Sequence, residues 1–127
     1  MITGVVTAAR EAVLQVHVQG PAGQTTMEAV LDTGFTGFLT LPMAVVMTLG
    51  LPFAGTSRAT LSDGSEVGLD VFEATVLWDG RPRVITVLAA EGGVLMGMAM
   101  LMGFRLTLEG VIGGRVQLDR LPSPGRP

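Results

Sequence analysis

Asp32 differs from the other acidic residues in its setting. It follows Ala29-Val30-Leu31 and precedes Thr33-Gly34-Phe35-Thr36-Gly37, so an apolar run delivers a carboxyl group to a point where two glycines let the backbone turn away. A carboxyl set beside an apolar core is suited to general acid–base work, because its protonation is governed by burial and hydrogen bonds rather than by water. The plain alternative is an Asx-type turn, since Asp and Gly both favour turns. The remaining aspartates have simpler settings. Asp63 and Asp79 each precede a glycine in a hairpin-turn pair, while Asp70 and Asp119 fall at solvated positions of strands. Asp63, Glu66, Asp70 and Glu73 are spaced too loosely for a calcium loop.

Other chemistries are excluded by what the chain lacks. With no cysteine there is no disulfide, thiol nucleophile or thiolate metal site. The single histidine, His17, lies on the polar face of a strand and has no carboxylate cluster around it, so neither a metal nor another cofactor is expected. All eight basic residues are arginines scattered along the sequence, which gives no nucleic-acid footprint. The absence of Lys, Asn and Tyr points to a GC-rich, bacterial genome. Apolar residues make up 48% of the chain and charged residues 15%, which excludes disorder for most of its 127 residues and bounds it to one domain. The eight methionines read as core and interface packing. Trp78 reads as a rim or dimer contact. The first residues lack the basic and apolar regions of a secretory signal, so cytoplasmic residence is expected. The 25 residues from Thr33 to Ser57 carry no charge, but Pro42, Pro52 and four glycines within them argue against a membrane span.

The elements that must position Asp32 are short strands separated by turns. Val13 to Val18 alternates, with Leu14, Val16 and Val18 on one face and Gln15 and His17 on the other. Gly20-Pro21-Ala22-Gly23 turns the chain into a partner strand, Thr25 to Leu31, which ends at Asp32. Phe38 to Leu41 is a further strand. Pro42 opens a short helix through Leu49, which Gly50 and Pro52 stop. Arg58 to Ser62 and Val67 to Trp78 flank Asp63-Gly64, predicted to form a two-residue type I′ hairpin. Asp79-Gly80 predicts a second hairpin of that type, returning through Arg83 to Leu88. Val94 to Gly97 leads into a helical turn from Met98 to Met102, and Phe104 to Leu108 pairs with Gly114 to Leu118. Many short strands with turn chemistry at regular spacing predict an all-β sandwich or barrel with one or two short helices. The domain is expected over residues 1–120, with 121–127 as a flexible tail.

The segment from Ala29 to Leu39 resembles the active-site segment of the retropepsin-like aspartic peptidases, especially small bacterial single-domain members. Val94-Leu95-Met96-Gly97-Met98-Ala99-Met100-Leu101 is similar to their downstream apolar-apolar-Gly block, which packs beside the active-site loop. With the hairpin from Leu61 to Glu66 between the two blocks, the order is loop, flap, glycine block, and the resemblance covers about Val13 to Leu118. Two features depart from the family: Ala99 stands where bacterial relatives commonly carry Asp, and the flap tip Ser62-Asp63-Gly64-Ser65 is more polar than the glycine-rich flaps of viral enzymes.

The resemblance implies an acid-protease barrel and an aspartic endopeptidase. Asp32, Thr33 and Gly34 would be its active-site triplet, Leu61, Ser62, Asp63, Gly64 and Ser65 its flap, and Leu95, Met96 and Gly97 the supporting block. Because this chemistry needs two carboxyls and the chain holds one Asp-Thr-Gly, a homodimer acting on a peptide or protein substrate is expected. The other expectation is a binding or regulatory domain that keeps the barrel without the activity.

Overall fold

Residues 1–122 are described by a computed structural model. In chain order the elements are β1 (Ile2–Val6), β2 (Ala12–Gly20), β3 (Gly23–Leu31), β4 (Leu39–Leu41), α1 (Met43–Leu49), β5 (Phe53–Thr60), β6 (Glu66–Trp78), β7 (Arg81–Ala89), β8 (Leu95–Met96), α2 (Met98–Leu101), β9 (Phe104–Leu108) and β10 (Arg115–Arg120).

Six strands close on themselves in the order β2-β3-β8-β4-β7-β6. The seam is the antiparallel pairing of β6 with β2 through His17↔Leu77, Val18↔Val76 and Gln19↔Thr75. Closure gives each of these six strands a neighbour on both sides and leaves the sheet's edges to β5 and β9. Strands β1, β10 and β9 continue the sheet outward from β2, and β5 projects with β6 as a long hairpin. Pairing is antiparallel apart from β3 with β8 and β4 with β7.

The alternation along β2 works as expected: Leu14, Val16 and Val18 are buried and Gln15 is exposed. His17 is half-buried on the polar face, its ring nitrogens 3.0 Å from Thr26 Oγ1 and 2.9 Å from Gln24 Oε1. Leu39, Leu41, Val76, Val87, Met96 and Met100 fill the barrel. Helix α1 begins after Pro42, which has extended backbone angles. It ends at Gly50, whose φ of 63° is a left-handed cap in which the amide N–H donates to Met47 O.

Several expectations need correction. The strand before the Asp63-Gly64 hairpin tip starts at Phe53 and stops at Thr60, where Arg58 to Ser62 had been expected. The strand register ends at Thr60↔Glu66, but the Leu61 N–H still donates to Ser65 O at 2.7 Å and the Gly64 N–H to Leu61 O at 2.9 Å, so residues 62–64 make the turn and not a two-residue type I′ pair. Asp63 causes this. Its Oδ1 accepts hydrogen bonds from the Ser65 amide at 2.8 Å and from the Ser65 hydroxyl, an Asx-type closure that leaves Gly64 as the tip residue with positive φ. At Asp79-Gly80 both residues do adopt positive φ, 52° and 79°, with Trp78 paired to Arg81, as the two-residue hairpin requires. Trp78 is neither rim nor interface: it is 4% exposed and packs edge-on against Phe104 with ring centroids 5.8 Å apart. Strand β1 was not anticipated. Gly4 lets it approach β2 closely, since a Cβ there would fall 2.6 Å from Leu14 Cδ2 and closer still to the Val13 carbonyl oxygen. The expected tail begins with Leu121, whose N–H donates to Gly103 O at 2.9 Å; residues 123–127 lie outside the described part.

Asp79 also ties the barrel to its outer strands, accepting from the Met1 ammonium at 2.9 Å and from Arg120 at 3.3 Å. The hydrogen bond from the ammonium, above all, holds the Asp79 carboxyl below its usual 3.8. Partial burial opposes this, and the ammonium charge and Arg120 reinforce it. A depressed folded-state value means that the interaction stabilises the fold above the unfolded value near 3.8 and is lost as pH falls through the folded value. In Asp79→Asn the turn should survive, because Asn tolerates positive φ equally well. Parent and variant should therefore differ in Tm at neutral pH and converge as the pH is lowered to about 2 in thermal scans. A gap that stays constant over that range would remove the charge from the explanation.

Candidate active site

Asp32 stands one residue beyond the end of β3, where the strand gives way to the loop 32–38. It is half-buried, while Thr33 and Gly34 are exposed. The Gly34 N–H donates to Asp32 Oδ1 at 2.9 Å, and the Phe35 N–H donates to Asp32 O at 3.1 Å. These two bonds orient the carboxylate by folding the chain tightly around it, leaving Oδ2 without a partner among the described residues.

The loop is held from behind by the segment around Gly97. Strand β8 lies between β3 and β4, with Leu31↔Met96 on one side and Leu39↔Met96 on the other. Four backbone hydrogen bonds then join this segment to the loop: Asp32 N–H to Met96 O at 2.9 Å, Gly97 N–H to Phe38 O at 3.0 Å, Met98 N–H to Phe35 O at 2.8 Å, and Ala99 N–H to Gly37 O at 3.1 Å. The Phe35 ring packs over two glycines; a Cβ on Gly37 would meet its Cζ at 2.6 Å, and one on Gly97 its Cδ2 at 2.6 Å. The structure thus brings Asp32, Thr33 and Gly34 together with Leu95, Met96 and Gly97 around one loop.

Thr40 escaped the sequence reasoning. It is 6% exposed, and its hydroxyl accepts the Leu95 N–H at 2.9 Å and donates to Gly93 O at 3.5 Å. The signal was present as a lone hydroxyl in the apolar run Phe38-Leu39-Thr40-Leu41. A buried hydroxyl needs such partners, and each bond contributes about 1 kcal/mol net.

A cleft of about 510 Å³ opens beside the loop. One wall is Gly34 to Leu39. The other is the β5–β6 hairpin through Ser57, Ala59, Leu69 and Val71, with Thr86 and Leu88 of β7 between them. The cleft is lined by small and apolar side chains; Arg58 is the charged residue on it, tied to Glu66 at 3.0 Å on the exposed hairpin. No carboxylate lines this cleft among the described residues, and Asp32 lies just outside, joined to its first residue, Gly34. Leu61, Ser62, Asp63, Gly64 and Ser65 form the exposed tip of the same hairpin, beyond the cleft wall. Sequence periodicity did not single out Leu69, Val71 or Leu88, because a residue on a cleft wall carries the same apolar signal as a core residue.

Neither a protein-family model nor a curated protein sequence matches the chain. Its structure is similar to the crystal structure of a retropepsin-like aspartic protease from Rickettsia conorii, with a TM-score of 0.56 over 91% of this chain and 88% of that one. The fold is retropepsin-like. Sequence identity over that match is only 14%, so the likeness is one of architecture. Within this retropepsin-like barrel, Asp32 is placed by strand end, glycine turn and β8 together, and not by the triplet alone. No helix among the described residues is long and apolar enough to cross a membrane, and the charge-free stretch from Thr33 is divided among loop, strand and the seven-residue α1.

Gly97→Ala tests this arrangement. The new methyl would fall 2.5 Å from the Phe35 carbonyl oxygen and closer still to that of Gly37, both backbone atoms that cannot rotate aside. Overpacking of this kind costs about 1–3 kcal/mol, and we expect the upper end by urea unfolding. Gly93→Ala, with open space around its Cβ position, serves as the control. Equal stability of the two variants would show that the loop does not depend on the close approach.

Proposed function

We propose that the chain is one half of a dimeric aspartic endopeptidase and that Asp32 is the single carboxylate each chain contributes. The supporting observation is the position of Asp32: its Oδ1 is fixed by the Gly34 amide at the edge of a carboxylate-free cleft in a retropepsin-like fold. Peptide hydrolysis by this route needs two carboxyls sharing one proton around a water. The ionised carboxylate takes a proton from the water as its oxygen bonds to the scissile carbonyl carbon, and the protonated partner donates to the carbonyl oxygen. Collapse of the tetrahedral diol breaks the C–N bond, with a proton passing to the leaving amine. Like charges held close cannot both ionise cheaply, which favours one proton shared between them.

A two-fold axis beside the exposed Thr33-Gly34 supplies the second carboxyl, because C2 symmetry duplicates every group near the axis. In this reading Thr33 hydrogen-bonds across the axis, Gly34 offers backbone to the substrate, and the peptide lies extended between loop and hairpin with alternate side chains in pockets. The hairpin tip from Leu61 to Ser65 closes over it as a flap. The cytoplasm of a bacterium remains our expectation for its location.

Asp32→Asn is the direct test. The amide preserves size and turn preference but removes the base, so cleavage of a peptide library at mildly acidic pH should fall by at least a hundred- to ten-thousand-fold, roughly the worth of general acid–base help. Stability should hold or rise, since two carboxyls no longer meet. Active parent protein should sediment as a dimer at its assay concentration. A folded Asn variant that cleaves at the parent rate, or activity confined to monomer, would overturn the proposal. For the flap, amides 61–65 should exchange rapidly in the free protein and slow down with a bound peptidomimetic; exchange that is slow in both states would exclude a closing role.

A further inference from the structure

The arginines are scattered in sequence, but three of them, Arg81, Arg83 and Arg120, line one cavity. Along β6, β7 and β10 the buried positions Ala74-Val76-Trp78, Val87-Ile85 and Val116-Leu118 keep the strand period of two, and the same period continues outward to half-buried Arg83 and to exposed Arg81 and Arg120. The apolar rows of β7 and β10 thus give way to three arginines where the strands reach the surface. They line a second cavity, of about 310 Å³, together with Trp78, Pro82, Met102 and Phe104, and none of its lining residues belongs to the cleft beside Asp32.

Two of the arginines are held in place by their surroundings. The Arg83 guanidinium lies 5.2 Å from the centroid of the Phe38 ring and its Nη1 donates to Met100 O at 3.5 Å. The Arg120 guanidinium lies 5.0 Å from the Phe104 ring centroid. Stacking of this kind orients the planar fork and leaves further N–H donors free. Asp79 at 3.3 Å from Arg120 is the only carboxylate within ion-pair distance of the three among the described residues, and it is shared with the Met1 ammonium. The cavity therefore carries a net positive charge in a chain whose formal charge is −3. The indole N–H of Trp78, a residue of the cavity wall, is buried and has no acceptor among the described residues. Three like charges lining one small cavity repel one another, and an anion between them would relieve this.

We propose that this cavity is a binding site for a small oxyanion ligand, a phosphate or carboxylate group gripped by Arg81, Arg83 and Arg120. Guanidinium forks match the paired oxygens of both groups, and the volume suits a ligand the size of pyrophosphate or a tricarboxylate. The site does not depend on the peptidase reading, since no residue of it touches Asp32.

The test is isothermal titration of the full chain with sodium pyrophosphate and, separately, sodium citrate, in chloride buffer at constant ionic strength. We expect saturable binding of at least one, and the tighter one identifies phosphate or carboxylate as the group recognised. Arg81→Gln, an exposed position, should weaken binding roughly tenfold or more, as loss of a charge-assisted pair implies. Arg115→Gln makes the same charge change at the opposite end of β10 and should bind like the parent. Asp32→Asn should also bind like the parent, which separates this proposal from the fate of the catalytic one. Absence of saturable binding to either anion up to about 10 mM, weaker than any specific site of this kind, would overturn the proposal. So would equal effects of Arg81→Gln and Arg115→Gln, which would mark general charge attraction.

Discussion

The missing side chain at position 97 is the constraint on which the site depends. Residues 96–99 can deliver four backbone hydrogen bonds to the loop 32–38 only because nothing projects from Gly97 toward the carbonyls of Phe35 and Gly37. Such bonds are short-range and directional, so a shift of a few tenths of an ångström weakens all four together. Through them the loop takes its shape from the barrel: β8 is fixed between β3 and β4, Thr40 anchors its start through the Leu95 amide, and Met96 and Met100 plug the core beneath. The tight turn that sets the Asp32 carboxylate is thus the outermost part of a rigid assembly, which is what a site requiring sub-ångström placement needs.

The strands were legible where one face is buried and the other solvated. Val13 to Val18 and Thr25 to Leu31 carry the alternation, and the structure pairs them in register from Val13↔Val30 to Gly20↔Gly23. Short helices were legible from punctuation, Pro42 and Gly50 for α1. What failed were judgements that required knowing what lies opposite. Asp63-Gly64 and Asp79-Gly80 are the same dipeptide, yet only the second makes the two-residue turn, because Ser65 gives the Asp63 carboxylate a local partner while Asp79 turns outward to Met1 and Arg120. Trp78 looked like a surface residue beside a turn, but the outer strand β9 brings Phe104 over it. Strand β1 was missed because it contains Gly4, a weak strand former whose use is the close approach to β2.

The candidate site shows the same division. Asp32, Thr33 and Gly34 were visible because their chemistry and spacing are local, and Leu95 to Gly97 because an apolar pair before a glycine stands out. The cleft wall of Leu69, Val71 and Leu88 was not, since its residues come from two strands and share their pattern with the core. The clustering of Arg81, Arg83 and Arg120 was hidden for a related reason: β7 and β10 are neither adjacent in sequence nor paired in the sheet, so only closure of the barrel brings their ends together.

Charge is distributed unevenly over these two regions, and the distribution bears on how each would work. The cleft beside Asp32 is lined by neutral and apolar groups, with Arg58 neutralised by Glu66 on the hairpin. In the proposed dimer, a carboxyl pair in such surroundings would meet no unpaired cation of the cleft lining, so sharing a proton would be the available way to lower its repulsion. An adjacent arginine would favour full ionisation of both carboxyls and remove the acid the reaction needs. The arginines at the ends of β7 and β10 are engaged elsewhere: Arg83 meets Phe38 and Met100, and Arg120 meets Phe104 and Asp79. Phe38 lines the cleft, meets the Arg83 guanidinium with its ring and accepts from the Gly97 N–H with its carbonyl, so the retropepsin-like barrel holds a carboxylate-free cleft and a cationic pocket close together in one small domain.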